Sequence, residues 1–292
     1  MRIAFFAKQY FRNYKENYQS MIDKLELANC ELFVNKDFYK LLKNKVVFKT
    51  EPSIYQSLDD FEKKPDAFFS LGGDGTILDT IQVVKDSNIP ILGINMGRLG
   101  FLSSVALSEV DLAIESVLKN NYILDKRTLL SLHTDNNLFG ELNFALNEFV
   151  IQKKDHLSMI VVHVYIDDQF LNSYWSDGLL ISTPTGSTAY SLSVGGPIVT
   201  PGAGNFIISP IAPHNLTVRP IVIPDNSVIK LKIQGRSKSF LVGLDSRFET
   251  IKASTELVVK KCEFSVNMIQ IGSRSFFDTI REKLNWGLDI RN

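Results

Sequence analysis

The hydrophobic rhythm of this 292-residue chain changes near residue 125, and that change restricts the folds open to it more than any single motif does. Upstream, mainly apolar runs alternate with segments of helical spacing. Residues 3–7, 66–71 and 89–94 read as strands without a polar face, as strands do when helices cover both sides of a parallel sheet. A further short strand is expected over 31–34, and helices over 13–28, 77–85 and 107–119. Downstream, short runs dominate, at 129–134, 144–151, 159–166, 179–182, 228–233, 239–244 and 257–259, with turn residues between them. That pattern belongs to antiparallel sheets. Residues 276–284 return to helical spacing. The expected fold class is α/β plus β-rich. It has an N-terminal α/β domain with a parallel sheet (1–125), a mostly antiparallel β domain (126–275), and a C-terminal helix (276–292) packing back on the first domain.

Charge balance removes one class of partner. Lys and Arg number 32 and so do Asp and Glu, giving zero net charge, whereas a dedicated nucleic-acid binder carries a basic excess. No nucleic-acid partner is expected. A small anion needs no such excess, because backbone N–H groups and helix dipoles hold phosphates. Cys30 and Cys262 lie far apart and outside any Cys/His cluster, which argues against a structural zinc or a disulfide framework and fits a reducing cytoplasm. The opening apolar run is too short for a signal peptide, and no run approaches a membrane span, so no membrane partner is expected.

Three segments carry chemistry. The first, Gly72-Gly73-Asp74-Gly75-Thr76, falls between a buried strand and a helix, at the carboxyl end of the strand, where α/β sheets place ligands. Glycines let backbone approach a bulky anion, and the helix adds its positive end. Asp74 is repelled by phosphates, so it needs a reason to stand beside them: general base toward a hydroxyl, or a link to Mg²⁺. The segment is neither a GxxxxGK[ST] loop nor a GxGxxG turn.

The second segment, Asn147-Glu148, lies within a strand-like run. Adjacent side chains on a strand face opposite ways. This amide and carboxylate suit ribose hydroxyls and a base edge, or a polar pair at a sheet edge or bulge. In the third segment, Asp177-Gly178 leads through a strand to Thr183-Pro184-Thr185-Gly186-Ser187-Thr188-Ala189-Tyr190-Ser191-Leu192-Ser193, a turn rich in neutral donors and acceptors of the kind that orients a polar ligand. Tyr190 offers a ring for stacking. The serine lacks the second glycine of GxSxG, and the four histidines show no HExxH spacing, so hydrolase chemistry is not indicated.

In this order and spacing, the three segments resemble the NAD kinase family. The likeness extends through Ile94-Asn95-Met96-Gly97-Arg98-Leu99-Gly100-Phe101-Leu102, Ser209-Pro210-Ile211-Ala212-Pro213-His214-Asn215-Leu216, Arg219-Pro220-Ile221-Val222 and Lys283-Leu284-Asn285-Trp286-Gly287, and so covers most of the chain. The first motif alone is shared with diacylglycerol and sphingosine kinases. A lipid kinase, however, would need a membrane-binding face, and no basic amphipathic helix is present. A non-catalytic NAD(H) sensor would have no need of Asp74.

The resemblance implies an active site between the two domains and transfer of the ATP γ-phosphate to the 2′-hydroxyl of NAD's adenosine ribose, with Mg²⁺ or another divalent cation carried on the ATP phosphates. It implies Asp74 as general base, with Gly72, Gly73, Gly75 and Thr76 lining the phosphate region. Asn147 would contact the adenine side, Glu148 a ribose hydroxyl, and Asp177 the nicotinamide end. Thr185, Thr188, Ala189, Tyr190, Ser191, Leu192 and Ser193 would line the NAD pocket, with Ala212 closing part of it. It also implies a homo-oligomer, dimer or tetramer. One departure stands at Leu244-Asp245-Ser246-Arg247, where the family often carries Gln at the last position; Arg247 there has the fork geometry to pair a phosphate.

Overall fold

The computed structural model describes every residue except 98, 99, 104, 155–157, 273 and 288–292. The chain forms two compact units, Met1–Lys126 with Val266–Asn292, and Arg127–Ser265. The second boundary therefore falls at 265/266, ten residues before the 275 expected from the sequence.

In the first unit, β1 (Arg2–Phe6), α1 (Lys15–Leu27), β2 (Glu31–Asn35), α2 (Lys36–Leu42), β3 (Ser53–Tyr55), β4 (Ala67–Leu71), α3 (Asp74–Val84), β5 (Ile91–Asn95), β6 (Val105–Ala106) and α4 (Val110–Leu118) follow one another. The strands are parallel in the order β3-β2-β1-β4-β5, with β6 beside the end of β5. Every residue of β4 and β5 is buried, which is why their sequences lack alternation. One face packs Phe5, Phe69, Leu92 and Ile94 against Tyr18, Met21 and Leu25 of α1 and Ala113, Ile114 and Val117 of α4. Besides the two-residue β6, two elements lie outside the sequence expectation. α2 starts directly after β2, where the Asn35 side chain accepts from the N–H groups of Asp37 and Phe38 and caps it. β3 is a three-residue edge strand, too short for a period.

The second unit contains β7 (Ile123–His133, entering from the first unit), β8 (Phe144–Ala145), β9 (Glu148–Lys153), β10 (Ile160–Ile166), β11 (Gln169–Ser176), β12 (Gly178–Ser182), α5 (Tyr190–Ser193), β13 (Asn205–Ile211), β14 (Ile221–Pro224), β15 (Ile229–Gly235), β16 (Ser239–Leu244), β17 (Arg247–Lys252) and β18 (Leu257–Gln270). An antiparallel sheet runs β14-β13-β12-β9-β16-β17, and β11-β10-β15-β18 forms a second antiparallel series. Between them lies a core of Phe149, Ile151, Leu179, Ile181, Phe206 and Phe240 with Ile160, Val162, Leu231 and Val259. β11 follows β10 through Asp167-Asp168, both left-handed at φ 49° and 65°, the turn whose twist suits a two-residue hairpin.

The last residues of β18 belong to the first unit, where Met268 pairs in parallel with Ile91. There α6 (Phe276–Leu284) opens on a reciprocal Ser275/Asp278 capping box, buries Ile280 and ends at left-handed Asn285. The Lys283 ammonium stands 6.0 Å over the Phe101 ring.

Candidate active site

In the first unit the chain leaves β4 and turns at once into α3. The Gly72 N–H donates to the Ile94 carbonyl at 3.0 Å, which ties the turn to the end of β5. Asp74 is the first residue of α3, and the helix's first N–H groups have no acceptor within the helix. A β-carbon added at Gly73 or Gly75 would meet nothing within 4 Å, so that side of the turn is open, while one at Gly72 would strike the Thr76 hydroxyl at 2.2 Å.

Asp74 does not point loosely out of this turn. Its Oδ1 accepts from the N–H groups of Leu102 and Ser103, both at 3.0 Å, and from the Ser103 hydroxyl at 3.2 Å. Its Oδ2 accepts from the Phe101 N–H at 2.8 Å. Gly100 makes this approach possible, since a β-carbon there would lie 1.8 Å from Oδ1. Phe101 and Leu102 belong to the segment already singled out by resemblance, and Ser103 follows it directly. Their convergence on Asp74 is a matter of folding that no spacing in the sequence conveys.

The second unit gathers the other two segments. The expected run 144–151 is not one strand: it breaks between β8 and β9 at Leu146-Asn147, and Glu148 starts β9. The simple alternation of Asn147 and Glu148 across a continuous strand is thus replaced by a kinked main chain. The carbonyl of Asn147 accepts from the Thr183 N–H at 2.9 Å, and that of Leu146 accepts from the Thr183 hydroxyl at 2.5 Å. Gly186 packs so closely that a β-carbon would lie 2.1 Å from the Asn147 oxygen.

Residues 185–188 form a short 3₁₀ turn leading into α5. Thr185 and Ser191 are buried, Thr188, Ala189, Tyr190 and Leu192 half-buried, and Ser193 exposed. Several hydroxyls are spent inside the protein: Thr188 on the Thr185 carbonyl, Ser187 on both the N–H and the carbonyl of Val199. The Tyr190 hydroxyl accepts from the Gln152 amide at 3.1 Å, and buried Arg127 donates to the Thr185 hydroxyl at 3.3 Å. Gln152 and Arg127 carried no motif that sequence reasoning could have used. Asp177 forms an ion pair with Lys153 at 2.5 Å. Ala212, directly after β13, is left-handed at φ 45°, a conformation that costs a residue with a β-carbon about 1 kcal/mol or more.

Glu148 is the electrostatic oddity of this unit. Its Oε2 is buried and meets no hydrogen-bond partner. Burial, then the nearby Asp245 carboxylate, push its carboxyl up to about 8, against a pull from the Tyr190 backbone N–H. The folded pKa thus lies above the unfolded one. The stability tied to this proton is complete below about pH 4.5 and is lost as pH rises through about 8. Glu148→Gln removes the titration. Between about pH 6 and about pH 9 its melting temperature is expected to fall less than that of the wild type. Thermal melts at both ends check this; an equal fall in the two proteins would mean that the carboxyl is charged in the fold throughout.

Arg247 is engaged by the main chain. Both terminal nitrogens donate to main-chain carbonyls, of Leu142 and Phe144, and the guanidinium lies 5.6 Å from the Phe144 ring centroid. Each arm of the fork is thus engaged by a backbone carbonyl.

A glycine turn opening a helix at the end of a parallel strand, with an anchored carboxylate beside it, is the architecture of a phosphate-handling enzyme. Comparison with known proteins narrows the class. Residues 3–122 match the model of the ATP-NAD kinase N-terminal domain, and 146–271 that of the ATP-NAD kinase C-terminal domain. The NAD kinase of Cytophaga hutchinsonii is 46% identical over 275 residues, covering 94% of each chain; that of Flavobacterium psychrophilum is 45% identical over 295 residues, covering 100% of each. Among solved structures, yeast NADH kinase complexed with NADH aligns with a TM-score of 0.88 at 24% identity, over 100% of this chain and 89% of that one. An NAD kinase from Archaeoglobus fulgidus in complex with ATP aligns at 0.75 and 24%, over 98% and 99%. The chain belongs to the NAD kinase family.

Proposed function

We propose that the protein transfers the γ-phosphoryl group of ATP to the 2′-hydroxyl of NAD's adenosine ribose, giving NADP and ADP. The observation that carries this reading is Asp74, anchored at the mouth of an open glycine turn. Oδ1 is occupied by three donors and Oδ2 by one, so Oδ2 keeps a lone pair for the hydroxyl proton. As the ribose oxygen bonds to phosphorus and the bond to ADP breaks, that proton passes to Oδ2. Gly72, Gly73, Gly75 and Thr76 line the phosphates, and most of the acceleration comes from positioning and charge neutralisation.

In the second unit, Asn147 contacts the adenine side, Glu148 a ribose hydroxyl and Asp177 the nicotinamide end. Thr185, Thr188, Ala189, Tyr190, Ser191, Leu192 and Ser193 line the NAD pocket, with Ala212 at its edge. Arg247 supports this pocket from behind. Mg²⁺ enters as part of the Mg·ATP substrate, in keeping with its preference for phosphate oxygens and water over protein cages. Among the described residues, no three His, Cys, Asp or Glu side chains gather into a metal-binding group. The same reading makes the protein a cytoplasmic homo-oligomer, dimer or tetramer. No helix among the described residues is long and apolar enough to cross a membrane.

The test is NADP formation by the purified protein from NAD, ATP and Mg²⁺, followed with an NADP-specific dehydrogenase. NADP is expected. NAD binding with no NADP formed would instead make the protein a sensor, and failure to bind NAD would remove the assignment of the second unit.

A further inference from the structure

The turn Asp245-Ser246, which joins β16 to β17, makes hydrogen bonds that a hairpin has no need of. The Asp245 Oδ2 accepts from the Leu146 N–H at 2.9 Å, and its Oδ1 accepts from the N–H groups of Asn147 at 2.8 Å and Glu148 at 3.2 Å. The Asp245 N–H donates in turn to the Glu148 carbonyl at 3.0 Å. Two residues on, the Arg247 guanidinium takes the carbonyls of Leu142 and Phe144, with the rings of Phe139 and Phe144 at 6.0 and 5.6 Å. One hairpin end therefore meets both polarities of the main chain over residues 142–148, with a carboxylate for its N–H groups and a guanidinium for its carbonyls.

The need for such a clamp follows from the break between β8 and β9. A buried main chain that leaves its ladder must find other partners for every N–H and carbonyl. Across residues 146–148 the accounting closes. The N–H groups go to Asp245, the carbonyls of Leu146 and Asn147 to Thr183, and the carbonyl of Glu148 to the Asp245 N–H. Burial raises the pKa of the Asp245 carboxyl, while the three N–H donors, and then Arg247, oppose that rise.

We propose that Asp245 and Arg247 are positioning residues for the dinucleotide: by gripping the backbone of 142–148 they set the placement of Asn147 and Glu148 without touching the ligand. This rests on the reading of Asn147 and Glu148 as NAD contacts. It also assigns a role to the arginine that replaces the glutamine expected from the family. A planar fork sets one nitrogen against each carbonyl in fixed geometry, whereas a lysine ammonium or a glutamine amide brings a single nitrogen to both.

The test compares the wild type with Arg247→Lys, Arg247→Gln and Asp245→Asn, measuring kcat, KM for NAD, KM for ATP, melting temperature and calorimetric NAD affinity. Both Arg247 variants are expected to lose about tenfold or more in kcat/KM for NAD, with KM for ATP within about twofold of the wild type, as small misplacements of binding groups do. NAD affinity should fall in parallel. The proposal is overturned if the Arg247 variants melt earlier yet keep wild-type KM and affinity for NAD, because the turn is then scaffold alone. It is equally overturned if KM for ATP rises and Lys restores it, because the cation then serves a phosphate. Should Asp245→Asn fail to fold, the Arg247 pair, at a half-buried position, still decides. The wild type separates the two levels of the argument: if it forms no NADP, the functional reading fails, whereas the ratio of NAD affinities between variant and wild type continues to test the clamp.

Discussion

Replacing Asp74 by Asn is expected to lower kcat for NAD phosphorylation by about 10²–10⁴-fold, the usual cost of removing a general base, while NAD affinity stays near that of the wild type. The environment decides how the amide sits. The Oδ1 position receives three donors and the Oδ2 position one. An amide oxygen can satisfy the cluster at Oδ1 only if the NH₂ group takes the other place. There it faces the Phe101 N–H, donor against donor, and stands where the base stood. The change forfeits one hydrogen bond, on the order of 1–2 kcal/mol of stability, so the variant should fold. Steady-state kinetics beside calorimetric NAD titration would measure both quantities. Turnover close to that of the wild type would leave Asp74 as an anchor for residues 101–103 and send the search for a base elsewhere.

Gly186→Ala is expected to damage both binding and stability, for a different reason. The new methyl would lie 2.1, 2.5 and 2.7 Å from the oxygen, carbonyl carbon and Cα of Asn147. These are backbone atoms, and they cannot swing aside as a side-chain tip would. Thr183 holds that peptide from one side and Asp245 from the other. Overpacking of this kind costs about 1–3 kcal/mol, or a loss of several degrees in melting temperature. Displacement of Asn147 should cut kcat/KM for NAD about tenfold or more. Gly202→Ala, where an added β-carbon meets nothing within 4 Å, serves as the control. A Gly186→Ala protein that melts with the wild type would mean that residues 183–186 and 146–148 are less tightly locked than their contacts imply.

The parts of the fold legible in the sequence were those in which a single element carries its own signal. β4 and β5, buried throughout, read as apolar runs, and Gly72 to Thr76 announced a strand-to-helix turn. What escaped depended on partners distant in the chain. β13 and β14 are ladder neighbours whose sequences, broken by Pro210 and Pro224, suggest loops until the pairing supplies their hydrogen bonds. β18 was legible only at its start, because Lys260, Lys261 and Glu263 interrupt its alternation. For the candidate site, residues 74, 147, 148 and 185–193 were singled out by their segments and by the family resemblance. The grip on Asp74 spans 27–29 positions and that on Asn147 spans 98, distances at which composition and period carry no information.

The grip on residues 142–148 acts on peptide groups, which every amino acid except proline shares. At the half-buried position 147 the side chain can therefore be exchanged with little effect on how the segment is held. This suits a pocket whose preference between related ligands has to be retuned by single substitutions. Proline is the exception: at 146, 147 or 148 it would remove an N–H that Asp245 accepts. A library randomised at 147 should accordingly yield many folded proteins of altered selectivity, with proline missing from the survivors.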